Sequence, residues 1–228
     1  LSEILVIGDD VVTIRNAHRG TAHYWDQLAE NGFGYYNKTL LDASVHPIMG
    51  FWLSHLKNQK ENAELGFFPD ENYAREVMQL FSIGLVQRAK NGTIKLSEDN
   101  LPIPTYDNNV IKEMAKVFTG LSFSYKESDG TKVSNNNFNL WNQVNDDQYR
   151  WTEPLKFFPN EHEFEAKTLF TDNNQTLVIE KNSEQTEVEA NNELTSVING
   201  LVSHSSAAPF ISRKLIQRFV TSNPSPEY

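Results

Sequence analysis

Apolar residues recur at helical spacing in several stretches of this chain, and no stretch sustains the two-residue alternation of a half-buried strand. From Thr21, the positions of Tyr24, Trp25 and Leu28 predict a short helix. It closes at Asn31-Gly32, where glycine tolerates the left-handed conformation that ends helices. The run "YYNKTLLDASVHPIMGFWLSHL" carries the helical pattern on both sides of His46-Pro47. Proline has no amide hydrogen and disfavours a helical predecessor, so a helix-to-helix corner is predicted at that dipeptide.

The segment "PDENYAREVMQLFSIGL", residues 69–85, predicts a helix with Asp70 as its N-cap and Gly84 as its stop. At about 100° per residue, Tyr73, Val77, Leu80 and Phe81 share one face. Asn72, Glu76 and Gln79 form a polar row beside that face rather than opposite it. Glu76 lies on the border. Partial burial is expected for it, with hydrogen-bond donors from another segment, either the His46-Pro47 corner or Arg75.

Asp107 or Thr105 caps a further predicted helix, in which Val110, Ile111, Met114, Val117 and Phe118 repeat until Gly120. Thr93 to Leu96, after the Asn91-Gly92 turn, is a small strand at best. Residues 122–158 are rich in asparagine and scattered aromatics without a period, and they read as an irregular excursion across the core. Residues 171–190 read as a loop or hairpin. Leu194, Val197, Ile198, Leu201 and Val202 define another helix, and a last one starts near Pro209 and runs through Phe219. The expectation is a mainly α fold: one multi-helix domain over residues 1–228, with a long irregular insertion and at most a small β-hairpin. The opening "LSEILVIGDD" reads as the end of a helix running into an acidic loop, so the chain is expected to be an internal fragment of a longer one.

With 228 residues, of which 39% are hydrophobic, the chain can bury a sizeable core. Its formal net charge of -10 repels a phosphate backbone, which argues against sequence-independent nucleic-acid binding. No apolar run approaches the roughly 20 residues of a membrane span. The absence of cysteine removes disulfides, thiolate nucleophiles and sulfur-ligated zinc together.

In chain order, "LSEIL", "NKTLLDASVHPIMGFWLSHL", "PDENYAREVMQLFSIGL", "PIPTYDNNVIKEMAKVFTG", "HEFEAKTLF" and "APFISRKLIQRFVTSNPSP" resemble the bacterial family catalogued as domain of unknown function 1800. The resemblance implies an exported protein, periplasmic or extracellular, whose relatives are often encoded beside an exported sulfatase-like family. It implies no reaction. The family pattern places His-Pro where this chain has His46-Pro47, and a His-Asp pair followed by lysine where it has His162, Glu163 and Lys167. Leu121 stands where the family commonly has tryptophan, and Ser205 follows His204 where it commonly has proline.

His46, Glu76 and His162 form the candidate catalytic site. Two imidazoles and a carboxylate can bind zinc or a similar divalent ion and leave positions for water, or act as an acid–base pair. Asn72, Arg75, Gln79, Glu163 and Lys167 are the supporting polar groups. The competing reading makes the same residues a structural network, because a buried charge is strongly destabilising once its partner is removed. The reading adopted is an exported structural or partner-binding protein with an internal polar network, no cofactor, and a protein partner that the resemblance suggests is sulfatase-like. The alternative is an extracytoplasmic metal-assisted enzyme, a hydrolase, using His46, Glu76 and His162.

Other chemistry is thinner. "HEFEA" lacks the second histidine of the helical zinc-protease motif, and Ser44, Ser54, Ser82 and Ser212 have no nucleophile-elbow glycines. Asp99, Asp146 and Asp147 match no calcium loop and read as solvated surface. Phe123, Tyr125, Phe138, Trp141, Tyr149 and Trp151 read as pins of the long excursion rather than a sugar platform.

Overall fold

The computed structural model describes residues 1–8, 10–140 and 148–224. After a turn at Leu1–Leu5, the chain forms α1 (Val12–Asn16) and α2 (His18–Glu30). Next come α3 (Tyr36–Ser44) and α4 (Pro47–Trp52), which meet at the His46-Pro47 corner. His46 Nδ1 accepts the Ile48 amide at 3.2 Å and so caps α4, whose first position is the proline.

The helix within residues 69–85 is shorter than its pattern: α5 spans Asn72–Gln79. Asp70 accepts the Asn72 amide through Oδ1 at 2.8 Å. Beyond Gln79 the chain tightens, and the Ile83 and Gly84 amides both return to the Met78 carbonyl. Gly84 has φ +73°, and the Phe210 ring lies where its Cβ would be, 2.8 Å away. That early end turns Leu80 outward, 39% exposed, while Tyr73, Val77 and Phe81 stay buried. A meander through residues 85–105, held by bridges such as Arg88 with Ile94, leads to α6 (Asn108–Val117). Asp107 caps α6 through the Asn109 and Val110 amides.

The expectation of a mainly α fold is corrected here. Among the described residues helix accounts for 41% and strand for 14%, and the named strands pair in three two-stranded antiparallel sheets, so the fold is mixed α and β. β1 (Leu121–Ser122) pairs with β4 (Lys156–Phe157) and closes the base of the excursion. Inside it, β2 (Tyr125–Ser128) and β3 (Thr131–Ser134) form a hairpin, followed by α7 (Gln148–Thr152). The second hairpin joins β5 (Lys167–Asp172) to β6 (Gln175–Ile179), so it begins ahead of the expected range 171–190 and ends within it. Alternation is hard to read in these strands because they are short and the exposed ones bury little on either face.

α8 (Glu187–Ser203) and α9 (Ala207–Phe219) end the fold. One apolar cluster links α2, α3, α5, α6, β1, β5 and α8. Trp151 of α7 packs edge-on against Phe51 and Phe123. Gly20 of α2 lies where a Cβ would come within 2.7 Å of Trp151 Cβ, which lets α2 and α7 touch. Phe123, Phe138 and Trp151 are thus interior anchors, whereas Trp141, Asp146 and Asp147 lie outside the described residues. No helix among the described residues is long and apolar enough to cross a membrane.

Candidate functional site

His162 follows a 3-10 turn at Pro159–Glu161 and is buried between the rings of Phe157 and Phe164. Its Nδ1–H donates to the Thr119 carbonyl at 2.7 Å, which leaves Nε2 facing Glu193 Oε1 at 3.6 Å. Gly120 makes this approach possible. Its φ is +82°, and an added Cβ would meet the His162 backbone nitrogen and Cα at 3.0 Å.

Lys167, at the start of β5, has no exposed surface. Its ammonium donates to the Glu163 carbonyl at 2.5 Å, the Glu165 carbonyl at 3.1 Å and Glu193 Oε2 at 3.1 Å. An ammonium has three hydrogens to donate, and these three acceptors engage all of them. Glu163 contributes its backbone: its carbonyl receives Lys167 and its amide donates to Thr119 Oγ1 at 2.9 Å. His162, Lys167 and Glu193 therefore form one enclosed polar network among β5, α8 and the end of α6. Glu193 is absent from the site expected on sequence. Its signal was present, since it falls in the α8 stripe of Ala190, Leu194, Val197 and Leu201 as the one carboxylate on a buried face.

His46 has separate surroundings. Because Nδ1 accepts the Ile48 amide, its proton sits on Nε2, which donates to His23 Nδ1 at 3.0 Å. Burial, and then the neighbouring His23, push the His46 pKa down to about 3. Nearby, His55 Nε2–H donates to the Ser44 carbonyl at 2.8 Å and its Nδ1 has no partner. Burial lowers the His55 pKa to about 4, against the opposing pull of that carbonyl. Tyr73 donates to Ser44 Oγ, whose own proton goes to the Leu40 carbonyl.

Glu76 is half-buried, but no donor from the His46-Pro47 corner reaches it, and its Oε2 has no hydrogen-bond partner. Burial raises its pKa, and Arg75 pulls it back. The hydroxyl of Tyr106, which senses both Arg75 and Glu76, is likewise buried without a partner. Arg75 instead pairs with Glu71 at 3.2 Å on the surface; Asn72 is exposed and Gln79 half-buried. The structure therefore does not gather His46, Glu76 and His162. Each has its own neighbours, and among the described residues no three His, Asp or Glu side chains are placed to hold a metal ion.

A serine, a histidine and an aspartate do meet at the start of α9, in an order that gives no nucleophile. Ser205 Oγ donates to Asp172 Oδ1 at 2.6 Å, and its amide to Oδ2 at 2.8 Å. His204 Nδ1 is occupied by the Ser206 amide at 3.0 Å. With Nδ1 accepting, the His204 proton sits on Nε2, 4.0 Å from Asp172 Oδ1, and Ser205 gives its own proton to the carboxylate rather than to an imidazole, as acyl transfer would require.

The open surface is elsewhere. An apolar groove of about 820 Å³ lies between α2, the turn at 31–34, α3 and α9, walled by Trp25, Leu28, Phe33, Tyr36, Leu215 and Phe219. Trp25 is 53% exposed and Phe219 80%. No curated protein and no solved structure matches the chain. A family model does: the one described as "Protein of unknown function (DUF1800)" matches residues 3–228, and the chain belongs to that family.

Proposed function

We propose that this is an exported protein that binds a protein partner, and that the apolar groove receives an amphipathic helix with basic flanks. The groove itself carries the reading. Trp25, Phe33 and Phe219 expose their rings along it, and neighbouring exposed aromatic surface is what a docking partner covers. Its walls include faces of α2 and α9, the setting in which a partner helix inserts an apolar stripe. Asp26 and Glu30 are exposed on α2 beside the wall residues Trp25 and Ala29, in a chain of net charge -10, so cationic flanks complement the rim. The buried His162–Lys167–Glu193 network fits a structural role. The family resemblance is the support for export, and it also suggests an exported sulfatase-like protein as the first partner to try.

The metal-assisted alternative draws no specific observation, since His46, Glu76 and His162 do not converge. The test is sedimentation and calorimetry of wild type and Trp25→Lys with a leucine-striped, lysine-flanked helical peptide. The peptide is expected to bind a monomeric wild type, and to lose binding in the variant while the melting curve is unchanged. A wild type that ignores the peptide, or one that dimerises through this face and is made monomeric by Trp25→Lys, overturns the proposed occupant. Fractionation of cells producing the natural protein tests export, and a cytoplasmic location refutes it.

A further inference from the structure

α9 separates two grooves of opposite character. The second, about 560 Å³, lies between Pro209, Ser212, Arg213 and Ile216 of α9 and the turn at 88–94. Arg88, Lys90 and Arg213 all line it. Among the described residues no carboxylate lies within ion-pair distance of any of the three, although Lys38, Lys132, Lys181 and Arg218 all have such a partner. Three uncompensated cations in one depression are unusual in a chain of net charge -10.

The basic wall is also held in place. The Arg88 amide donates to Ser206 Oγ at 2.9 Å, which ties the turn to the start of α9. Arg88 Nη1 donates to the Gly92 carbonyl at 2.8 Å, so the guanidinium is fixed by its own turn. Its remaining donors are free among the described residues. Burial, and then the positive charge of Arg213, lower the Arg88 pKa, the direction expected where like charges are crowded without an anion.

We propose that this groove is a binding site for a small molecule with a dianionic phosphate-type headgroup and an apolar body. Two guanidinium forks and an ammonium match a tetrahedral oxyanion better than a single carboxylate, because arginine engages two oxygens at once. A phosphate monoester carries close to two negative charges at neutral pH. The volume exceeds that of a headgroup alone and falls among small-molecule sites. Ile94, Pro209 and Ile216 supply the apolar wall for the rest of the ligand.

The proposal is independent of the apolar groove and is tested on the same protein with three probes: phenyl phosphate, inorganic phosphate and benzoate. Calorimetry gives affinity, and amide chemical shifts give location. Phenyl phosphate is expected to bind most tightly, with shifts confined to residues 88–94 and 209–216 and affinity falling as salt rises. Inorganic phosphate, lacking the body, should bind more weakly, and benzoate more weakly still. Arg213→Gln, at an exposed position, should weaken phenyl phosphate about tenfold or more while melting is unchanged. Lys90→Gln, equally exposed, provides a second variant. No saturable binding, benzoate binding as tightly as phenyl phosphate, shifts centred elsewhere, or both variants binding like wild type would each overturn the site.

Discussion

The Lys167 ammonium lies 2.9 Å from Glu193 Oε1, and both side chains are buried. Their segments are separated by a hairpin, so the pair forms only when α8 docks on β5. Removing one partner strands a charge in the interior. Glu193→Gln and Lys167→Met are each expected to destabilise by about 3–5 kcal/mol. The double variant, Glu193→Gln combined with Lys167→Met, should lose less than the sum of the singles, because no unpaired charge remains. Urea unfolding of the four proteins measures this, and strictly additive losses would show that the two groups do not act as a pair.

His46 and His55 predict how stability responds to acid. In the folded chain they take up protons only near pH 3 and pH 4, well below the ordinary histidine value. The unfolded chain takes them up near pH 6.5. Between those limits the unfolded state binds more protons, so stability is full above about pH 6.5 and falls as the pH drops. Each histidine adds up to about 1.4 kcal/mol per pH unit. His46→Asn keeps a side-chain acceptor for the Ile48 amide and removes one titration. It should flatten the stability profile between pH 6 and pH 4; a slope equal to that of wild type rules out this account of His46.

Gly120 is the hinge on which His162 reaches Thr119. Alanine there would adopt φ +82° and push its Cβ to within 3.0 Å of the His162 backbone, which cannot yield as a flexible side chain can. The expected loss is about 2–4 kcal/mol for Gly120→Ala, from left-handed strain and overpacking together. A melting temperature within a degree of wild type would contradict this geometry.

Glu76→Gln should behave differently. With Oε2 unpartnered and its pKa raised by burial, Glu76 favours folding less as the pH rises through that raised value. The substitution removes a charge held by no hydrogen bond at Oε2. It is expected to leave stability at pH 7 within about 1 kcal/mol of wild type, on the stabilising side. The difference should shrink toward pH 4, where the wild-type carboxyl is itself protonated. A loss of several kcal/mol at pH 7 would mean that Glu76 has a partner after all.

Helix positions, caps and the proline corner are legible from spacing alone. The 24, 25, 28 spacing located α2, Asp107 or Thr105 marked the start of α6, where Asp107 is the cap, and His46-Pro47 marked the corner between α3 and α4. These signals succeed because a helix brings together residues three or four apart, and caps act within the same turn. Even there, tertiary contact intervened. α5 ends at Gln79 because the chain turns to seat Gly84 against Phe210, a residue 126 positions further on, and Leu80 leaves the core as a result.

Pairing across long stretches depends on how the folded elements dock. Lys167 was visible as a polar candidate, but its partner Glu193 lies 26 residues away, and the Thr119 carbonyl that orients His162 lies 43 residues away. The hairpins at 125–134 and 167–179 carried too little alternation to be read, because their strands are short and partly exposed. Spacing showed that His46, Glu76 and His162 were polar groups near buried faces. Which groups share an interior depends on how helices and hairpins dock, and that docking is set by packing and by the pairing of buried charge, interactions with no fixed period along the chain.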